Sequence, residues 1–317
     1  MKVLHITNNY PTDRFPIYGI FVKEQVESLD NLGVDNSIMF INGREGGKKE
    51  YLFSPIRIRK HLKCNRYDLI HCHHSFSAVM LILSGRIWTN RCVVSYQNPP
   101  DREGGILLFK LIPRLFHQVI LKHDPVHLRQ SKLLYLPNGV NIDFFRPLDK
   151  QQSKSKLRLD VNKRYILFMD SNNRKRKQKR IDRFNQVISH LRADFHLKDI
   201  EPLILTNTKR ELVPYYINAS ELHLLTSDFE GSPNSVKECL SCNVPVVSTD
   251  VGNVRDIMGD IPGCYISDSL DSLALAGCVM KALETNEIDG RKAIIDKGLD
   301  MKSVASKLMT VYQEILQ

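Results

Sequence analysis

The sequence predicts an α/β protein made of two Rossmann-like domains facing across a cleft. Three observations point there. Short β-rich runs alternate with stretches of helical spacing, the pattern of parallel sheets crossed by helices. The runs fall into two series, divided by Leu136-Pro-Asn-Gly-Val140 and the polar tract Asp149–Asp160. A chain of 317 residues is long for one domain and comfortable for two, and 42% hydrophobic residues can fill two cores.

In the first series, Val3–Ile6, Ser37–Ile41, Leu69–Cys72 and Arg91–Ser95 read as strands. Between the first two, Ile20–Leu32 has helical spacing, with Ile20, Val22, Val26 and Leu29 on one face and Gly19 at its start. Ile106–His123 is apolar and basic, carrying Lys110, Arg114 and Lys122. It reads either as a core helix kinked at Pro113 or as a segment that docks on an anionic membrane. In the second series the strands are Tyr165–Met169, Pro202–Leu205, Leu222–Leu225, Val244–Ser248 and Cys264–Ile266, with helices over Lys179–Leu191 and Ser272–Glu284. Met301–Leu316 reads as a terminal helix. The expected spans are 1–147 for the first domain, 148–300 for the second, and 301–317 for the terminal helix.

Composition narrows the function classes. No run reaches the roughly 18 apolar residues of a membrane span, and Met-Lys-Val-Leu-His-Ile-Thr turns polar too soon for a signal peptide. Seven cysteines without regular spacing suggest reduced thiols and a cytoplasmic setting. Cys239 and Cys242 form a lone Cys-x-x-Cys with no second pair to complete a zinc site, so buried thiols are expected there. Net charge is +10, and residues 1–145 hold 19 Lys and Arg against 12 Asp and Glu. A basic surface favours phosphates, nucleic acid or an acidic membrane face.

The most informative stretch is Ser227-Asp-Phe-Glu-Gly-Ser-Pro-Asn-Ser-Val-Lys-Glu238, which continues to Thr249. It spaces Glu230 and Glu238 eight residues apart around the turn-forming run Gly231, Ser232, Pro233 and Asn234. A helix and the buried strand around Val244-Pro-Val-Val247 follow. Glu230 then sits on a loop at the carboxyl edge of a sheet, where ligands of open α/β folds bind. Glu238 sits on the helix after it. The helix N-terminus offers N–H groups and a positive dipole end to phosphate. Two acceptor-only carboxylates beside it suit the hydroxyls of a sugar and a ribose. The bland alternative is an acidic helix start stabilised by its own dipole.

Two other constellations carry chemistry. Seven cations lie among residues 174–183, after the strand Tyr165–Met169. They read as a diphosphate site, a solvated charge run or a nucleic-acid patch. Asp68-Leu-Ile-His-Cys-His-His74 ends a strand, so its side chains emerge at a ligand edge. Three histidines in four residues suggest zinc. On an extended chain, however, His71 and His73 point one way and Cys72 and His74 the other, which makes a closed tetrahedral site awkward.

The segment Thr226–Val254, including Asn234, Lys237 and Thr249-Asp-Val-Gly252, resembles the donor-binding region of retaining, nucleotide-sugar-dependent glycosyltransferases of group 1, which have the GT-B fold. Leu136-Pro-Asn-Gly-Val140 resembles that family's domain-joining signature, and Asp68-Leu-Ile-His-Cys-His73 its Asp-Val-Val-His-x-His. The resemblance implies that Glu238 binds the ribose, Glu230 the sugar hydroxyls, and Gly231, Ser232, Pro233 and Asn234 the donor at the helix start. It implies a diphosphate held by Arg174 and Lys179, where the family carries an Arg, four residues and a Lys, with no metal. Here the family's Gly-Arg becomes Asp170-Ser171-Asn172 and the Gly after the Lys is Arg180, so Arg176 can stand in for Arg174. His73 is implied near the anomeric centre. Gly19 matches the glycine loop that approaches the donor phosphates. Gln97 and Asn98 stand where the family often has His-Gly-Asp, and are candidates for the acceptor pocket. The terminal helix is implied to cross back to the first domain.

The resulting expectation is a metal-independent retaining glycosyltransferase using a UDP- or GDP-linked sugar and no cofactor. Its acceptor would be a saccharide or lipid-linked hydroxyl, at the inner face of the membrane, in cell-surface polysaccharide or glycolipid synthesis. Nucleic acid is not the expected partner. The rival readings are a non-catalytic protein binding sugar nucleotide or nucleic acid, and a sugar-nucleotide epimerase.

Overall fold

Six strands form the first sheet, every neighbouring pair parallel. They are β1 (Lys2–Thr7), β2 (Asp35–Phe40), β3 (Leu69–Cys72), β4 (Arg91–Tyr96), β5 (Gln118–Leu121) and β6 (Leu133–Tyr135), in the order β2-β1-β3-β4-β5-β6. The second sheet is also parallel: β7 (Arg164–Asp170), β8 (Ile200–Thr206), β9 (Leu222–Leu225), β10 (Val246–Thr249) and β11 (Tyr265–Ser267), in the order β11-β10-β9-β7-β8. This computed structural model describes residues 1–99, 102–122, 132–170, 177–285 and 287–317.

Period-2 alternation explains why each sheet is covered on both faces. In the first sheet Leu4, Ile6, Ile70, Cys72, Cys92 and Val94 enter one hydrophobic cluster, while Val3, Leu69, Val93 and Ile120 enter another. The second sheet divides Tyr165 and Leu167 from Ile166 and Phe168 in the same way. Each such side chain contributes about 1.5–3 kcal/mol by leaving water. Parallel strands need helical crossovers, and the crossovers supply the covering layers.

The chain forms two compact units, Met1–Gly139 with Met301–Gln317, and Val140–Asp300. The boundary therefore falls before the 147/148 division expected from the polar tract. Val140 already donates to the Leu299 carbonyl of the second unit at 3.0 Å, and Phe145 is fully buried in that unit's core. The tract itself opens with a helix, Lys150–Lys156, capped by Asp149. The helix Met301–Leu316 belongs to the first unit, burying Met301, Val304, Ala305, Leu308 and Tyr312.

Two further expectations need correction. Ile106–His123 is not one element. A helix, Gly105–Leu115, holds Pro113 inside its last turn, and the chain turns extended at Phe116 to enter β5. The proline ring fixes φ and removes a donor, so the helix stops soon after it. The helix expected from Lys179 starts at Ile181, because Lys177–Lys179 is a separate 3-10 turn. Gly19 has φ 67°, and a Cβ there would lie 2.3 Å from the Asn9 carbonyl, so the chain's own backbone already requires glycine.

Candidate active site

In an open parallel sheet the connections leave in opposite directions at one point, and a crevice forms there at the carboxyl ends of the strands. In the second unit β8 lies on one side of β7 and β9 on the other, so the switch point is between β7 and β9. The loops leaving those strands carry the basic run and the first Glu of the acidic pair.

Lys179 is buried, and its Nζ lies 2.7 Å from Glu230 Oε1. Ser227 Oγ donates to the same oxygen at 2.8 Å, and Thr226 Oγ1 donates to the Lys179 carbonyl at 2.9 Å. Arg183 and Arg180 both bind Asp228, at 3.0 and 3.1 Å. The loops after β7 and β9 are thus stitched together. Arg174 and Arg176 lie outside the described residues.

Arg180 has φ 53° and ψ 57° at the start of the helix Ile181–Ala193. A left-handed position explains why the resembling family carries glycine there. Gly252 plays a related part, since a Cβ on it would meet the Gly231 carbonyl oxygen at 2.3 Å. The loop holding Glu230 and Gly231 is held against the backbone after β10 by this close approach.

The helix Asn234–Ser241 begins after Pro233, which closes no side-chain cap, with Ser232 and Pro233 leading into it. Its second turn carries Glu238, buried, whose Oε1 accepts from Arg210 at 2.9 Å. The Arg210 guanidinium lies 4.6 Å from the Phe145 ring centroid. The buried Lys237 donates to Ser232 Oγ at 3.0 Å. His223, wholly buried on β9, donates from Nδ1 to the Leu167 carbonyl, and its Nε2 meets Ser235 Oγ at 3.1 Å. Burial pushes its pKa down to about 4. Cys239 and Cys242 are buried free thiols, and Cys242 is pushed up to about 12.

In the first unit β2 and β3 flank β1, so the switch point lies between β1 and β3. Here His5 on β1 pairs in register with His71 on β3, and His73 follows β3 directly. The three rings are buried. His71 and His73 stack with centroids 4.1 Å apart, and His5 Nδ1 lies 2.8 Å from His73 Nε2. His71 is held between Tyr312 OH at 2.5 Å and Ser95 Oγ at 2.8 Å. Desolvation holds all three neutral: His5 is pushed down to about 4, and His71 and His73 lie well below the usual range. His73 Nδ1 is buried with no hydrogen-bond partner among the described residues.

These three histidines are also the one group of His, Cys, Asp and Glu among the described residues whose ligand atoms gather within 4.8 Å. The His5–His73 separation of 2.8 Å is a hydrogen bond. Two nitrogens on one tetrahedral zinc stand roughly 3.3 Å apart, given Zn–N bonds of about 2.0–2.1 Å. His74 takes a different role, capping the helix Ser75–Leu83 through Nδ1.

Gln97 and Asn98 are built into the loop after β4. Their backbone N–H groups donate to Glu103 Oε2 at 2.7 and 2.8 Å, while Ser75 N donates to Oε1 at 3.0 Å. The Gln97 side chain accepts from Asn138 at 3.1 Å. Glu103 is buried and its pKa is pushed up to about 7 by desolvation. His5, Glu103, Arg210 and Tyr312 were not singled out from the sequence. His5 alone left a trace there, as a histidine set between the aliphatic residues Leu4 and Ile6.

Two doubly wound parallel-sheet domains define the GT-B class. Residues 163–285 match the family model for glycosyl transferases group 1. A Bacillus subtilis (strain 168) protein, assigned as the teichuronic acid biosynthesis glycosyltransferase TuaC, is 24% identical over 327 aligned positions, covering 82% of this chain and 83% of that one. Sucrose-phosphate synthase from Thermosynechococcus elongatus has a TM-score of 0.79 at 13% identity, over 99% of both chains. HepE from Anabaena, in complex with UDP, has a TM-score of 0.67 at 13% identity, over 99% of this chain and 100% of that one. A glycosyltransferase from Rickettsia africae ESF-5 has 0.71 at 16% identity, over 100% and 98%. The chain is a glycosyltransferase of the GT-B fold, related to group 1 through its second unit.

Proposed function

We propose that the chain is a metal-independent retaining transferase that moves a sugar from a UDP- or GDP-linked donor to an acceptor hydroxyl. The observation that carries this reading is the Lys179–Glu230 pair at the β7/β9 switch point, beside the start of the helix Asn234–Ser241. It sets a cation for phosphate and a carboxylate for hydroxyls within one hydrogen bond of each other. HepE, which has this fold, has been observed with UDP and with UDP-glucose, which supports a nucleotide-sugar donor.

In this reading Glu238, oriented by Arg210, accepts from the ribose hydroxyls. Lys179, with Arg174 or Arg176, meets the diphosphate, whose negative charge grows as the sugar leaves. Gly231, Ser232, Pro233 and Asn234 line the donor at the helix start, Gly19 keeps the glycine loop close, and Glu230 accepts from the sugar hydroxyls. His73 offers Nδ1 to a sugar hydroxyl. The acceptor oxygen bonds to the anomeric carbon on the face that the diphosphate leaves. The bond from that carbon to the diphosphate oxygen breaks with its electron pair, and the acceptor proton passes to a diphosphate oxygen. Gln97 and Asn98 position the acceptor loop.

The TuaC relative, named for teichuronic acid biosynthesis, supports a role in polysaccharide synthesis; the cell surface and the cytoplasmic face belong to the reading itself. Among the described residues no helix is long and apolar enough to cross a membrane. The first unit does expose Leu52, Phe53 and Ile56 on the helix Lys48–Cys64, and Ile106, Leu107 and Leu111 on Gly105–Leu115. Arg59, Lys60, Lys63, Lys110 and Arg114 lie on the same helices. This chemistry suits an anionic lipid surface. Flotation with anionic vesicles tests it; protein left with the pellet removes the membrane part.

Thermal shift with UDP-, GDP-, ADP- and TDP-sugars in EDTA tests the donor site. A donor at one hundred times its dissociation constant adds about 2.7 kcal/mol of stability. A response that requires divalent metal would overturn metal independence, and no response to any donor would count against the site.

A further inference from the structure

We propose that Asp30, Asn36 and His5 form a relay that fixes the tautomer of His73, leaving its Nδ1 as a bare acceptor for an O–H donor. The chain of contacts runs from the surface inward. Asn36 Nδ2 donates to Asp30 Oδ1 at 2.8 Å and to the Val34 carbonyl at 3.2 Å. Both partners are acceptors without a proton, so the amide nitrogen must face them; a flipped amide would set oxygen against oxygen twice. The Asn36 amide oxygen is thereby turned toward His5 Nε2, at 2.8 Å. An amide oxygen only accepts, so His5 Nε2 carries a hydrogen.

His5 has no exposed surface and stays neutral, so its other nitrogen is a lone pair. That nitrogen, Nδ1, lies 2.8 Å from His73 Nε2, which must donate. His73 is itself neutral and buried, so its one hydrogen is spent on His5. Nδ1 of His73 is left with a lone pair and no partner among the described residues. A buried acceptor without a partner costs about 1–3 kcal/mol. It is satisfied by a hydroxyl, and it rejects a phosphate or carbonyl oxygen, which would set two lone pairs against each other. The chemistry it selects is therefore an O–H or N–H donor, which a sugar hydroxyl supplies in the proposed function. His5, Asn36 and Asp30 are positioning residues, acting through His73.

The relay is independent of which donor is used. Its consequence for turnover rests on the reading that His73 touches the sugar. Protein labelled with 15N-histidine, studied by long-range 1H–15N correlation at pH 7.5 with EDTA, reads the tautomer directly; the His73→Asn spectrum assigns the signal. The expected pattern is a protonated Nε2 and an unprotonated Nδ1 on His73. His5→Leu removes the acceptor for Nε2–H and should mix the tautomers. With the donor found by thermal shift, it should cut kcat/KM by about tenfold, the size of one lost hydrogen bond. His5→Asn places an amide oxygen where Nδ1 stood and should restore most of that loss. A merely structural His5 predicts no such rescue, since asparagine fills the buried site less well than leucine. A protonated Nδ1 on wild-type His73 would overturn the relay, and so would equal kcat/KM in the two His5 variants. An intact tautomer pattern with turnover unmoved by His73→Leu, which leaves no acceptor in place of Nδ1, would support the relay and sink the sugar role of His73 instead.

Discussion

The ammonium of Lys179 lies 2.7 Å from Glu230 Oε1, and both side chains are largely withdrawn from solvent. A pair so placed has two duties that can be separated. As structure, it neutralises two charges in a partly dry site. As chemistry, each member is assigned a different part of the donor. Breaking a buried pair from one side leaves a lone charge and costs about 3–5 kcal/mol, while replacing both members costs far less. Lys179→Met and Glu230→Leu should each lower stability by roughly 2–4 kcal/mol in urea melts, and the double variant should recover most of it. Turnover should fall about 100-fold or more in each single variant and stay low in the double one. Turnover that recovers together with stability would show the pair to be structural only.

The buried histidines make the fold sensitive to acid. His5 and His223 titrate near 4 when folded, and near 6.5 when unfolded, because burial disfavours the charged ring. The unfolded chain therefore binds more protons between those values. Their contribution to stability is complete above pH 6.5 and is lost as pH falls toward 4, by on the order of 3 kcal/mol for each ring. His71 and His73 add to this in the first unit, since they too lie well below the usual range. Near-UV circular dichroism from pH 7 to pH 4 should show the first unit's transition at the higher pH. A flat melting temperature over that window would contradict the neutral cluster.

Much of this architecture is legible in the sequence, for a physical reason. Alternation within Val3–Ile6 or Tyr165–Met169 is local, and so is the Glu230–Glu238 spacing around its turn. What escaped the sequence depends on distant partners. His71 meets Tyr312 across 241 residues, and Arg210 reaches Glu238 from the loop after β8. β5 escaped because Gln118–Leu121 follows the apolar helix Gly105–Leu115 with only Phe116 and His117 between, so no turn-forming residue marks the change of period. His5 sits between the aliphatic residues Leu4 and Ile6, and only register with His71 gives it meaning.

Arg180 offers a test of backbone strain. Its left-handed conformation costs a side-chain-bearing residue about 1–2 kcal/mol relative to glycine. Its guanidinium offsets part of this through Asp182 at 2.7 Å and Asp228 at 3.1 Å, both exposed pairs of small worth. Arg180→Ala keeps the strain and loses the pairs; Arg180→Gly loses both. The glycine variant should be more stable than the alanine variant by about 1 kcal/mol in chemical denaturation. Equal stabilities would mean that the loop relaxes out of the left-handed region.

Glu103 closes the loop that carries Gln97 and Asn98. Its two oxygens accept three backbone N–H groups, from Ser75, Gln97 and Asn98. Glutamine has a single oxygen, so Glu103→Gln must leave at least one buried N–H unmatched, at a cost of about 1–3 kcal/mol. The pH dependence of that cost is also fixed. Burial raises the folded pKa to about 7, above the ordinary 4.5, so the folded protein holds the proton more tightly. The stability this carboxyl contributes is therefore full below about pH 4.5 and declines as pH rises through 7. Glutamine does not titrate, and contributions from the histidines cancel between the two proteins. The difference between wild type and Glu103→Gln should shrink from pH 5 to pH 8. A difference that grows instead would mean that the three N–H donors outweigh desolvation and hold Glu103 ionised throughout.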